Sequence, residues 1–330
     1  MSMDQTLQAP TMNSSAAANL SESACAPETP LTLLRRLFTS YVALVEQYAT
    51  KIAHGDGSDA ETVHDFRIAL RRAETVLSQF RDLIPRREHK WFLTHFKELR
   101  KASNPLRDAD IFLEHLETYH EHGPFSGLKE KILNGHQSAM NAVQTSCVHW
   151  LELPERVEHR ARVVDRIDRS LQKRAVARDD DEPTHDLSEW IQARLTKLGR
   201  TIFRTKLKWK GWTRLHERRI AAKRLRYALE VYRECLPSDD YDAIYRRLKS
   251  LQNRLGTMND EVTISNQLKE WSRSPATSRA EIDEIESLHE REKSSLDGHL
   301  EEFKAWWTNS RRRKWKKQWK DLLDNLEKTT

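Results

Sequence analysis

A chain of 330 residues that is 38 % hydrophobic can bury the core of one large domain or two medium ones, and it has no apolar run of about 18 residues to cross a membrane. Nine Gly and ten Pro are too few for the turns of an all-β protein. The net charge is +6, but Arg204 to Arg226 carries +9 and Arg311 to Lys320 carries +7, leaving −10 for the rest; positive charge gathered on an acidic body points to an anionic partner at defined places.

Residues 1–30 are rich in Ser, Ala, Thr and Pro and hold no Lys or Arg. They read as a disordered tail without a secretory signal pattern. From residue 31 onward the Ala, Leu, Glu, Lys and Arg content and the 3-4 spacing of apolar residues predict helices. Val63, Phe66, Leu70, Ala73, Leu77, Phe80 and Ile84 form one stripe. Ser58 to Glu61 has capping-box form before it, and Pro85 is expected to stop it, since proline lacks the N–H and disfavours helical geometry before it. Further breaks are expected at Asn104-Pro105, Gly123-Pro124, Pro154, Pro183, Gly211, Pro237, Gly256 and Pro275. The organisation expected is a helical repeat over 31–150, a more polar connection over 151–184, a second repeat over 185–310, and a basic, aromatic segment over 311–330. Cys25, Cys147 and Cys235 are odd in number and lack CxxC spacing, which excludes a disulfide framework or cysteine zinc site and suits the cytoplasm.

The repeat is explicit. Val63 to Pro85 aligns with Leu215 to Pro237, with eight of 23 positions identical at one constant offset. The same offset pairs Lys97 with Lys249, Leu99 with Leu251, Asp108 with Asp260 and Leu116 with Leu268. Apolar periodicity alone does not reproduce a histidine followed by the same arginines. An all-α protein of two four-helix bundles, duplicated and related by a pseudo-two-fold, is predicted.

At about 100° per residue, with Val63 at zero, Arg67 falls at about 40°, Arg71 at about 80° and His64 at about 100°. The apolar stripe occupies roughly 260–360°. His216, Arg219 and Lys223 take the same places in the second copy, and Arg226 joins at about 20°. Each copy thus carries a cationic ridge beside its core stripe, where stems lie on apolar surface and charged heads converge. Crowded cations repel unless an anion relieves them. Arg72 and Arg224 lie at about 180° and suit bonds to neighbouring helices.

His64-Asp-Phe-Arg67-Ile-Ala-Leu-Arg71-Arg72 and His216-Glu-Arg-Arg219-Ile-Ala-Ala-Lys223-Arg224-Leu-Arg226, with Leu251-Gln-Asn-Arg-Leu-Gly256-Thr-Met-Asn-Asp260, resemble the motifs of the conserved histidine α-helical domain (CHAD) family over roughly residues 31–310. The resemblance implies two four-helix bundles around a basic cavity that binds inorganic polyphosphate, and association with polyphosphate granules. It implies His64, Arg67, Arg71, His216, Arg219, Lys223 and Arg226 as ligand-binding, with Lys97, Arg100 and Lys249 beyond them. Many members carry a CYTH triphosphatase domain; no Glu-x-Glu-x-Lys stretch is found here, so a stand-alone member is expected. Glu74 stands in the place of Arg226, Arg218 matches Phe66, and Pro105 falls in the region that carries Gly256. The second half is therefore expected to bind more strongly.

Polyphosphate offers no base to stack on, so closely spaced cations and counterion release are expected to drive its binding. Arg grips phosphate oxygens in pairs and Lys acts as a point charge. The histidines are expected to take up protons on binding and to tighten it toward pH 6. Three other readings stand beside this one. Trp209, Trp212, Trp315 and Trp319 interleave with basic residues, as in single-strand nucleic-acid binders, though no helix-turn-helix, zinc-finger or RRM pattern is found. The motif histidines could serve a metal or phosphotransfer site, but neither has a His, Cys or Glu at i+3 or i+4, and Arg67 and Arg219 repel a cation. Asp108 and Asp260 read as caps or ion-pair partners. The tail and the Trp306–Lys320 stretch could recruit protein partners. No P-loop, GxSxG or HExxH pattern is found, so no enzymatic activity, cofactor or metal is expected.

Overall fold

The computed structural model describes residues 29–55, 60–119, 125–176, 186–203, 212–275 and 277–326. The tail to residue 28, Ser58, Gly123-Pro124, Pro183, Trp209 and Gly211 lie outside the described residues. Among those described, the chain is all-α. In order come α1 (Pro30–His54), α2 (Ala60–Gln79), α3 (Arg86–Ala102), α4 (Asn104–Thr118), α5 (Ser126–Glu152) and α6 (Glu155–Val176). Then follow α7 (Leu187–Phe203), α8 (Trp212–Val231), α9 (Ser238–Ser272), α10 (Arg279–Trp306) and α11 (Asn309–Leu326). A 3₁₀ turn at Arg233–Cys235 joins α8 to α9.

Local sequence sets the helix ends. At α1 the Thr29 hydroxyl accepts from the Thr32 N–H at 3.2 Å while the Thr32 hydroxyl accepts from the Thr29 N–H at 2.7 Å, a reciprocal cap. Gly55 closes the helix at φ +84°, a conformation that strains any side chain with a Cβ. All seven residues of the predicted α2 stripe are buried. The helix nevertheless ends at Gln79, before Pro85, and Pro85 instead stands at the N-cap of α3. Pro237 does the same for α9.

The repeat recurs in the elements. Both bounds of α8 follow those of α2 by the offset that aligns the two motifs, and the first residue of α9 follows that of α3 by the same offset. One difference stands out. The first half breaks at Ser103 into α3 and α4, whereas α9 runs unbroken for 35 residues. The break expected at Gly256 is absent: a single helical glycine costs about 1 kcal/mol, and the burial of Leu251, Leu255 and Met258 outweighs it. At Asn104-Pro105 proline sits in the first turn of α4, where its missing N–H has no helical partner anyway.

The polar connection contains α6, which packs on α1 and α3 and buries His159, Val163 and Ile167. The basic C-terminal segment is α11, whose Trp315, Trp319, Leu322, Leu323 and Leu326 are buried and which packs on α7 and α9. Gly199 of α7 makes this docking close: a Cβ there would clash with the Trp319 indole nitrogen. The large core draws on α1 to α3 and on α7 to α9 together. A second, smaller core gathers Phe112 and Leu116 of α4, Leu128 and Ile132 of α5, Ile264 and Leu268 of α9, and Ile285 and Leu288 of α10. Neither core divides at the repeat boundary.

Candidate functional site

α2 and α8, the two helices that carry the repeated motif, pack against each other. Their cationic ridges open on a cavity of 1010 Å³ whose other walls are α4, α9 and one turn of α5. Nine Lys and Arg side chains line it against three carboxylates, Asp108, Glu230 and Asp260. Positions equivalent in the repeat thus meet here: Arg67 and Arg219, Arg71 and Lys223, Asp108 and Asp260 all border the same space.

The cations differ in how they are held. Arg67 is 6 % exposed, and its guanidinium donates to the Arg100 backbone carbonyl at 3.3 Å, the Ser103 hydroxyl at 2.6 Å and the Asn104 side-chain oxygen Oδ1 at 3.0 Å. Burial first, and then Arg71, pull its pKa down to about 10. Arg71 reaches across to α8 and donates to the Tyr227 hydroxyl at 3.2 Å. Arg72 and Arg226 share one carboxylate, Glu230, each at 3.3 Å. Tyr245 donates to that carboxylate at 2.8 Å, and Arg226 lies 4.8 Å over the Tyr227 ring. Burial opposes the charge on Arg226, but Glu230 and the two tyrosines outweigh it and raise its pKa.

At the centre sits Lys223. No ion pair or hydrogen bond holds it among the described residues. Burial, and then Arg71, Arg219, Arg67 and Arg226, pull its pKa down to about 6. Positive charge on its amine is therefore strongly disfavoured. Burial also lowers Arg219, with Asp260 opposing and Arg71 adding to the effect. His64 is exposed at the rim; desolvation, and then Arg107, hold its pKa below the ordinary value. Burial raises both Asp108 and Asp260, and the proximity of Asp260 raises Asp108 further. The cavity is thus a place where positive charge is costly.

Residues 38–269 match the CHAD domain family. The chain belongs to the CHAD family. Its fold is similar to that of the CHAD domain from the plant Ricinus communis, at 18 % identity and a TM-score of 0.58, over 85 % of this chain and 94 % of that one. PptA from Streptomyces chartreusis is also similar, at 13 % identity and a TM-score of 0.49, over 82 % of this chain and 99 % of that one. No curated protein matches the sequence.

In this CHAD protein, His64, Arg67, Arg71, Arg219, Lys223, Arg226 and Lys249 all line the cavity. His216, Lys97 and Arg100 do not. Lys97 is exposed on α3, which is not a cavity wall, whereas its counterpart Lys249 stands on α9, which is. Arg100 is held by Glu74 at 3.0 Å, the acid that replaces Arg226 in the first copy. Three further cations line the space: Arg72, Arg107 and Lys131. Arg72, expected to bond to a neighbouring helix, does so through Glu230 and still faces the cavity. Arg107 precedes the repeated Asp108, a neighbour that could have pointed to it. Lys131 on α5 has no counterpart in the repeat and left no signal; it lies 3.8 Å from Glu281.

Among the described residues, no group of three or more His, Cys, Asp and Glu could hold a metal ion, and no helix is long and apolar enough to cross a membrane. Trp315 and Trp319 are 2 % and 5 % exposed, so neither offers a face on which a base could stack. Trp209 and the side chain of Trp212 lie outside the described residues.

Proposed function

We propose that this CHAD protein binds inorganic polyphosphate in the cavity between α2, α4, α8 and α9 and leaves the polymer chemically unchanged. The observation that carries this reading is the group of cations around Lys223 that no carboxylate pairs. Arg71, Arg107, Arg219 and Lys223 have no ion pair among the described residues, yet they border one space. A linear polyanion with charge on every unit fits such a site better than a small anion, because the nine cations that line the cavity are spread over five helices rather than converged on one point. The resemblance to the family, which implies this ligand, supports the same reading.

Binding of a polyanion restores the Lys223 proton, so affinity rises as pH falls from the bound-state pKa toward about 6. Counterion release makes affinity fall steeply with salt. The non-catalytic part is tested by incubating the protein with long polyphosphate and following chain length and free phosphate by ³¹P NMR. Unchanged chains together with salt-dependent binding are expected; steady release of phosphate that an Arg219→Ala, Lys223→Ala variant loses would overturn it. Granule association follows from retention of long chains and is tested by co-localising the tagged protein with stained polyphosphate in cells.

A further inference from the structure

α11 lies beyond residue 269, where the family match ends. Its inner face is settled: Trp315, Trp319, Leu322, Leu323 and Leu326 are buried against α7 and α9. Its outer face carries Arg313, Lys316, Lys317 and Lys320, all exposed. On the wheel these four fall within about 100° of one another, beside the apolar side, with Lys316 about 20° from Leu323 and Lys314 beyond their other edge. Arg313, Lys317 and Lys320 follow i, i+4, i+7 spacing, a straight row about 10 Å long. Among the described residues, no ion pair or hydrogen bond holds any of these side chains; Asp321 and Asp324 follow in the next turn.

The row is not a nucleic-acid reader of the stacking kind, because the tryptophans between its cations point into the core. It is not a membrane anchor of the amphipathic kind, because its apolar side is already covered. It is a line of exposed cations on one helix, suited to a flexible linear polyanion laid along it. α9 joins the two sites: Lys249 and Asn253 on it line the cavity, while α11 packs on the same helix. A chain long enough to pass from the cavity around α9 would engage both sites at high effective concentration.

We propose that the outer face of α11 is a second binding site for polyphosphate, engaged by the part of a long chain that emerges from the cavity. This rests on the cavity reading above and adds a chain-length dependence to it. Chains short enough to lie within the cavity bind through it alone, and longer chains gain affinity from α11.

The test measures affinity across polyphosphate lengths at fixed salt for the full chain and for a variant with Arg313→Gln, Lys316→Gln, Lys317→Gln and Lys320→Gln. All four side chains are exposed, and circular dichroism checks that the fold is kept. The expected result is a loss of about tenfold or more for long chains, a shallower salt dependence for them, and no change for short ones. Equal affinity of the two proteins for long chains overturns the proposal, as does a variant that loses duplex DNA binding but keeps long polyphosphate, which would assign α11 to nucleic acid. An Arg219→Ala, Lys223→Ala arm separates the two readings: if it leaves short-chain affinity intact, the cavity reading fails, while the α11 comparison on long chains still stands or falls by itself.

Discussion

The two halves of the molecule use equivalent arginines differently. Arg67 and Arg219 hold the same place in the repeat and line the same cavity. Arg67 commits its donors to the Arg100 carbonyl, Ser103 and Asn104, whereas Arg219 has no hydrogen-bond partner among the described residues. The cause is the break at Ser103. It leaves carbonyls at the C-terminus of α3 without intrahelical donors, and a cation there is favoured by the helix dipole. α9 runs through the equivalent point and exposes no such carbonyls. One arginine is therefore a joint that also carries charge, and the other is charge left open to a ligand. The acids follow the same division. Glu74 removes Arg100 from the first half's ridge, while Glu230 is shared between Arg72 and Arg226 and leaves an excess of one cation.

The largest effect is expected from removing unpaired charge in the second half. Arg219→Ala with Lys223→Ala should weaken polyphosphate binding by at least about 100-fold at fixed salt, since each charge-assisted contact contributes about 1.5–3 kcal/mol. Arg71→Ala in the first half should cost about tenfold. Calorimetric titration of both variants checks this, and a greater loss from Arg71→Ala would reverse the comparison.

Stability should show the opposite order. Arg67→Ala leaves the Asn104 side-chain oxygen without its donor, while the Ser103 hydroxyl still donates to the Arg100 carbonyl at 2.9 Å, and should lower unfolding free energy by about 1–2 kcal/mol. Arg219→Ala should leave it within about 0.5 kcal/mol or raise it, because it removes a crowded cation. Denaturant unfolding of the ligand-free variants separates the two.

A smaller effect concerns pH. The pKa of Lys223 falls from the ordinary 10.5 to about 6 on folding. Between these values the unfolded chain holds a proton that the folded one lacks, so this residue makes ligand-free stability rise with pH across that window and contributes no slope below it. Lys223→Met should remove up to one proton's worth of that slope in unfolding curves taken from pH 6 to 9. An unchanged slope would show that Lys223 keeps its charge. The smallest change is expected from Glu74→Gln, which frees Arg100: a loss of about 0.5–1 kcal/mol in stability and a rise in affinity of less than about threefold.

Much of this was legible in the chain. The period of the Val63–Ile84 stripe predicts both the helix and its buried face, and the repeat offset brings Arg71 to Lys223 and Asp108 to Asp260. The offset could not show that one copy breaks at Ser103 while the other runs through Gly256, because that depends on how much apolar surface α9 buries around its glycine. Nor does the wheel show which cations meet carboxylates from other helices. Arg100 lies within reach of Glu74 because α2 packs on α3, and Lys131 reaches the cavity from α5 with no motif to mark it. His216 occupies the same wheel position as His64 but does not line the cavity; a helical wheel fixes direction, not which neighbour stands opposite. The tryptophans of α11 pack inward because their spacing matches the apolar side of the helix, which makes its basic residues an outer row.

The most direct test of the account is proton uptake on binding. Titration with polyphosphate near pH 7, in buffers of different ionisation enthalpy, compares the unmodified chain with Lys223→Arg, whose guanidinium stays charged. Crowded cations relieved by a polyanion predict net proton uptake in the first, largely lost in the second, with binding retained in both. Equal uptake in the two proteins, or none in the unmodified chain, would contradict the claim that the neighbouring arginines disfavour the Lys223 charge and that a bound polyanion restores it.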